Sequence, residues 1–280
     1  MTLATLASVL QPALAGGYAV PGFVCLGWED ARAFTLAAQA ERAPVILQAG
    51  PGARAHMPLP LWAALFRQLA ASVDVPVVAH LDHGLTLEEC RAAIGEGFSS
   101  VMFDGSRLQL DANIAATAEV AALARRAGIS CEGEIGLVGY SGGAASTGTD
   151  PAEAARFATE TGVDAMAISV GNLHLQTGPS DGIDLPRLRA IEAASRLPLV
   201  IHGGSGVPPA QRRQLSASSH VCKFNIGTEI RQIFGAALRQ TLAVHPDRFD
   251  RIEILRDTEQ PVTTAARAIL ANLGASGRAP

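Results

Sequence analysis

The 280-residue chain is poor in charge and in aromatic residues, at 17% and 5% of its residues. Lys plus Arg (22) and Asp plus Glu (26) nearly cancel, leaving a net charge of −4. No basic stripe breaks that balance, so the electrostatic footprint of a nucleic-acid binder is missing. No run of about 18 strongly apolar residues occurs, so no membrane-spanning helix is expected. The four cysteines, Cys25, Cys90, Cys131 and Cys222, have neither CxxC nor zinc-ribbon spacing. They read as buried thiols in a reducing, cytoplasmic compartment. The first 28 residues carry no charged side chain, and Ala13-Leu14-Ala15 imitates a cleavage site. Without an early Lys or Arg, and with Thr2, Thr5, Ser8 and Gln11 interrupting the apolar residues, a short amphipathic helix is the better reading than a signal peptide.

What is abundant is aliphatic: hydrophobic residues make up 48% of the chain, enough for a large core. Eight short apolar runs recur, at residues 19–26, 45–48, 75–81, 99–103, 129–133, 164–170, 197–202 and 220–226. Runs without alternation indicate strands covered on both faces, hence a parallel sheet. Helical patterns lie between them, at 30–42, 59–71, 87–96, 112–126, 151–161, 185–195 and 208–216. Thr86 with Glu89, and Asp150 with Glu153, have capping-box spacing. Eight βα units in about 250 residues is the arithmetic of a (β/α)8 TIM barrel; an open doubly wound sheet is the alternative. No linker or low-complexity break divides the chain, so one domain over residues 1–280 is expected.

Function in a barrel gathers where strands end. Polar residues collect there: His80-Leu81-Asp82-His83-Gly84, Phe103-Asp104-Gly105-Ser106, Glu132-Gly133-Glu134, Gly171-Asn172-Leu173-His174, His202-Gly203-Gly204-Ser205-Gly206 and Asn225-Ile226-Gly227-Thr228. A lone histidine is more often a satisfied core or surface residue. Histidines ending strands 3, 6 and 7 converge on one mouth, and three imidazoles with an open fourth position make a catalytic zinc site. Glycines at the ends of strands 7 and 8 either make tight turns or let backbone amides approach an anion.

These motifs resemble those of the class II, metal-dependent ketose-bisphosphate aldolases of the fructose- and tagatose-bisphosphate type. HLDHG at 80–84 followed by SVMFDGS at 100–106 carries the likeness, and GEIG, HGGSG and KFNIGTE support it. The resemblance implies reversible retro-aldol cleavage of a ketose or ketose phosphate into a dihydroxyacetone-type donor and an aldehyde. It implies zinc on His83, His174 and His202, with Glu134 and Asp104 beside the metal or as alternative ligands. Another divalent metal is the alternative, and a monovalent cation is a further candidate. Asp82 would be the acid facing the aldehyde carbonyl. Gly203, Gly204, Ser205, Asn225, Ile226, Gly227 and Thr228 would hold the donor, and Gln48 the acceptor end. A homodimer or homotetramer is expected, with a small sugar or sugar phosphate as its ligand.

The chain departs from the family's pattern at both substrate ends. Leu175 and Gly178 replace a glycine and a lysine near the donor phosphate, so a relaxed or lost phosphate requirement is expected. Residues 135–149 hold no carboxylate to shuttle the donor's α-proton; Tyr140 is the substitute, or else merely packs. Val24-Cys25-Leu26-Gly27-Trp28 and Gln48-Ala49-Gly50-Pro51-Gly52 replace an asparagine-rich stretch and a serine-bearing one. Trp28 is expected in the core, or else in the acceptor pocket. Another zinc-dependent lyase or epimerase, and a non-catalytic partner subunit, remain as alternatives.

Overall fold

Each apolar run becomes a strand of one closed barrel. In the computed structural model, which describes residues 2–140, 143, 145–176 and 182–280, the strands are β1 Val20–Val24, β2 Val45–Ala49, β3 Val77–Gly84, β4 Ser100–Phe103, β5 Ser130–Ile135, β6 Ala165–Ile168, β7 Leu199–Ile201 and β8 Val221–Ile226. They pair in sequence order, all parallel, and β1 closes on β8 through Val20 opposite Lys223 and Gly22 opposite Asn225. Strands buried on both faces need helices outside them, and helices follow in alternation. The expected patterns appear as Trp28–Glu41, Leu59–Ala71, Leu87–Glu96, Leu110–Arg126, Pro151–Thr161, Leu185–Ala194 and Pro209–Ser218. The sequence pattern did not disclose Pro51–His56, Thr228–Val244 or Arg251–Asn272.

Local chemistry explains several starts and stops. Asp150 accepts from the amides of Ala152 and Glu153 and caps its helix. Thr86 accepts from Glu89 N–H at 3.1 Å, but Glu89 reaches back to Leu85 N–H rather than to the cap residue, which closes the box one residue early. Gly97 and Gly162 end helices in the left-handed conformation. The amphipathic helix at the start, Leu6–Gly16, buries Leu6, Val9, Leu10 and Ala13 and packs against β1, β5, β6 and β8.

The barrel interior is polar at one level. Gln48, His80, Glu132 and Lys223 are all fully buried. Gly22 leaves room for them: a Cβ there would lie 1.6 Å from Gln48 Oε1 and 2.9 Å from Lys223 Cε. Among the described residues no helix is long and apolar enough to cross a membrane. All four cysteines are free and buried.

Candidate active site

The site starts with an irregularity in β3. Its register with β4 shifts between Leu81 and Gly84, and His83 stands at a φ of 51°. In an unbroken strand Asp82 and His83 would face opposite sides. The bulge turns both into one cleft. Arg54 braces this strained segment: its guanidinium donates to the carbonyls of Ala49, Asp82 (2.7 Å) and His83 (3.0 Å) and pairs with Glu89 at 2.7 Å.

Three imidazoles meet there. The ring centroids of His83 and His202 are 4.7 Å apart, those of His83 and His174 5.3 Å, and those of His174 and His202 5.7 Å. One nitrogen from each falls within 4.8 Å of the others. On His83 and His202 the other nitrogen is held from behind. Asp104 Oδ2 lies 2.7 Å from His83 Nδ1 and is itself fixed by the amide and hydroxyl of Ser106. Glu132 Oε1 lies 3.1 Å from His202 Nε2. Asn172 donates to the His202 carbonyl at 3.0 Å, tying the ends of β6 and β7 together.

The donor set fits a divalent metal on two grounds. Three imidazoles backed by carboxylates are a zinc arrangement. His202 Nδ1 and Glu134 Oε2 are buried without hydrogen-bond partners, 3.4 Å apart, so the cluster presents polar atoms that protein leaves unsatisfied. His83, Asp104 and Glu134 form an overlapping second group.

The electrostatics follow from burial and crowding. Burial opposes charge on His202, yet Glu134 and Glu132 outweigh it and lift the imidazole to about 10. Burial, with His202 and His83 beside it, drives His174 down to about 3. Burial would raise Asp82, but His83, His202 and Lys223 together hold it below the usual carboxylate value. Burial likewise would raise Asp104, and its bond with His83 holds it well below. Burial and the Asp104 and Glu134 carboxylates push the Tyr140 phenol up.

Asp82, His83, Tyr140, His174, Gly203, Ser205, Asn225, Gly227 and Thr228 line one cleft of about 290 Å³. Asn225 donates to Asp82 Oδ1 at 3.1 Å. Ser205 Oγ accepts from the amides of Gly227 and Glu229. Gly203, at a φ of 62°, has no room for a side chain: a Cβ would lie 2.0 Å from Leu173 O. Tyr140 stacks on His174, with centroids 4.9 Å apart. Gly204 and Ile226 lie buried behind this lining. Gln48 is enclosed in the barrel and does not line the cleft; both its amide atoms lack protein partners. Trp28 is half-exposed on the outer surface beside Arg251 and Ile252, in neither the core nor the cleft. Leu175 adopts a φ of 54°, the conformation a glycine takes most readily; Gly178 lies outside the described residues.

Three participants escaped the sequence reading. Glu132 lies two residues before Glu134, and Lys223 two before Asn225, so period-2 alternation places each pair on one face. Arg231 lies three residues after Thr228 in a helix, hence on the same side; it lines the cleft, and its Nε has no partner.

Comparison with known proteins agrees with this geometry. The family model for fructose-bisphosphate aldolase class-II matches residues 4–278. A fructose-bisphosphate aldolase of Geobacillus stearothermophilus is 33% identical, over 100% of this chain and 99% of its own. The crystal structure of the YdjI aldolase from Escherichia coli K12 is 27% identical, covers 99% of this chain and 100% of its own, and superposes with a TM-score of 0.88. With a barrel, a histidine cluster and a full-length match in agreement, the chain belongs to the class II fructose-bisphosphate aldolase family.

Proposed function

We propose that the chain cleaves a ketose or ketose phosphate, reversibly, into a dihydroxyacetone-type donor and an aldehyde, with zinc held by His83, His174 and His202. The observation that carries this reading is the meeting of those three imidazoles at the floor of one cleft, which His83 and His174 line together with Asp82 while His202 lies buried behind them. Bound there, zinc supplies Lewis-acid stabilisation of the negative charge left on the donor oxygens. The sole lysine, Lys223, is buried and paired with Glu132 at 2.7 Å, so a lysine Schiff base has no place in the cleft.

The chain's own residues manage the protons. Asp82, held in its ionised form, takes the proton from the hydroxyl whose carbon becomes the aldehyde. Asn225 keeps that carboxylate oriented. Tyr140, half-exposed and held in its protonated form, returns a proton to the donor carbon and recovers it from solvent. Asp104 and Glu132 fix the tautomers of His83 and His202, and Glu134 stands ready as an alternative ligand. The loops carrying Gly203, Ser205, Gly227 and Thr228 hold the far end of the donor.

A donor phosphate counts for less here than in a site with a full set of donors. Leu175 takes a glycine's conformation, and Ser205 already engages the amides of Gly227 and Glu229. Arg231 offsets part of that loss. We also place the protein in the cytoplasm as a homodimer or homotetramer. Four buried free thiols suit a reducing compartment. Exposed Trp28, Phe249 and Ile252 offer apolar surface for self-association. The test is a panel of ketoses, with and without a 1-phosphate, incubated with zinc-loaded protein. Cleavage with a phosphate preference below about four orders of magnitude in kcat/KM, or ~5.5 kcal/mol, is expected. No cleavage of any ketose would overturn the reading.

A further inference from the structure

The acceptor half of the cleft has a wall of one chemical kind. Asp82 marks this half, because its carboxylate meets the oxygen that becomes the aldehyde. Its Oδ1 is engaged by Asn225, and its Oδ2 faces Gly50, where an added Cβ would lie 3.3 Å away. Around that point the cleft is lined by Val24 and Leu26 after β1, and by Gly50, Pro51, Gly52 and Ala53 after β2. None of these six side chains carries an N–H or O–H group, and Pro51 lacks even a backbone donor. Several backbone groups of the wall are already engaged. Leu26 N–H donates to Asp30, Cys25 N–H to Gln48 O, and the carbonyls of Gly50 and Ala53 accept from Arg54 N–H and the Trp62 indole.

We propose that this half of the cleft takes an aldehyde with no hydroxyl on the carbon beside the carbonyl, an alkyl or deoxy aldehyde rather than a polyhydroxylated one. The inference rests on the aldolase reading and specifies its substrate. A hydroxyl pressed against the Val24, Leu26 and Pro51 side chains gives up water and gains no partner from them. A methylene in the same place loses nothing polar and buries apolar surface. The discrimination is about tenfold or more, the scale of one polar group buried unpaired. Val24, Leu26 and Arg231 also line a second chamber of about 330 Å³, whose walls mix Ile230, Phe234 and Leu255 with Glu29, Asp30, His56 and Arg251. Arg231 is the one cation among the described residues lining the cleft. It faces any charged tail, so the comparison must hold charge constant.

The experiment is condensation by zinc-loaded protein, with dihydroxyacetone phosphate and with dihydroxyacetone as donors. Two matched pairs of acceptors are compared: propanal against both enantiomers of lactaldehyde, and 3-oxopropyl phosphate against both enantiomers of glyceraldehyde 3-phosphate. The expected result is a kcat/KM, per free aldehyde, about tenfold or more higher for the deoxy member of each pair. Val24→Thr, which puts a hydroxyl into the wall, should narrow the gap severalfold. Parity, or preference for the hydroxylated member in either pair, overturns the proposal while leaving the aldolase reading standing. Condensation with none of the acceptors overturns the aldolase reading itself.

Discussion

Glu132 links the only lysine of the chain to the histidine cluster: one carboxylate oxygen lies 2.7 Å from Lys223 Nζ and the other 3.1 Å from His202 Nε2. All three side chains are fully buried. Lys223 Nζ also lies 3.4 Å from His80 Nε2, and His80 Nδ1 meets the hydroxyl of Ser100 at 2.9 Å. A buried ion pair contributes little net stability against an apolar replacement, yet losing one member costs several kcal/mol. Its value here lies in geometry, since it fixes the imidazole whose Nδ1 faces the cluster.

Glu132→Gln should therefore weaken zinc binding by about 10- to 100-fold and lower stability by roughly 3–5 kcal/mol, because Lys223 is left unpaired. Adding Lys223→Met should recover much of the stability but not the affinity. Zinc competition titrations and urea unfolding measure the two effects separately. Zinc affinity unchanged in Glu132→Gln would remove the positioning role.

Asp82→Ala should keep zinc but slow carbon–carbon cleavage by about two to four orders of magnitude, the scale of a positioned acid or base. Asp82 belongs to neither group of candidate metal ligands, so metal content separates the two roles. Unchanged cleavage kinetics would exclude Asp82 from the chemistry.

Tyr140→Phe keeps the stacking on His174 and removes the hydroxyl. Exchange of the donor's α-proton in heavy water, followed by NMR without any aldehyde, should slow by about a hundredfold or more. Because the phenol is pushed up from its usual value, exchange by the unaltered protein should increase with pH well into the alkaline range. Equal exchange rates in the two proteins would assign Tyr140 to packing alone.

Asp30 gives a pH effect on stability that is independent of the histidine cluster. It is buried, accepts from Leu26 N–H at 3.0 Å, and is pushed up to about 6, chiefly by burial and against the pull of Arg231. A carboxyl raised in the folded state stabilises fully only below its unfolded value, and that stability is lost as pH rises through 6. Asp30→Asn keeps an acceptor for Leu26 and escapes the loss. Its stability relative to the unaltered protein should rise by up to roughly 3 kcal/mol between pH 4 and pH 7. Urea unfolding at both pH values measures this, and a difference independent of pH would contradict it.

The barrel was legible because its strands are short, largely apolar runs at regular spacing, and the histidines because they end such runs. Asp82 and His83 are adjacent in sequence, and alternation alone would have sent them to opposite faces; only the bulge in β3 reconciles them. The column beneath the cleft was hidden because nothing in either strand names the partner of Glu132 or Lys223, and their partnership spans 91 residues. Arg231 and Arg54 sit on helices the apolar pattern did not reveal. Helix Pro51–His56 is short, and Arg251–Asn272 carries Pro261 inside it. Trp28 defied the usual burial of its type because it opens a helix on the outer surface.

The most direct test of the central claim is metal content measured together with ketose cleavage in His83→Ala, His174→Ala and His202→Ala. Two remaining imidazoles hold zinc poorly. The account predicts about one zinc per chain in the unaltered protein, and loss of metal and cleavage together in each variant. Full zinc occupancy with undiminished turnover in His202→Ala, or in either of the others, would contradict it.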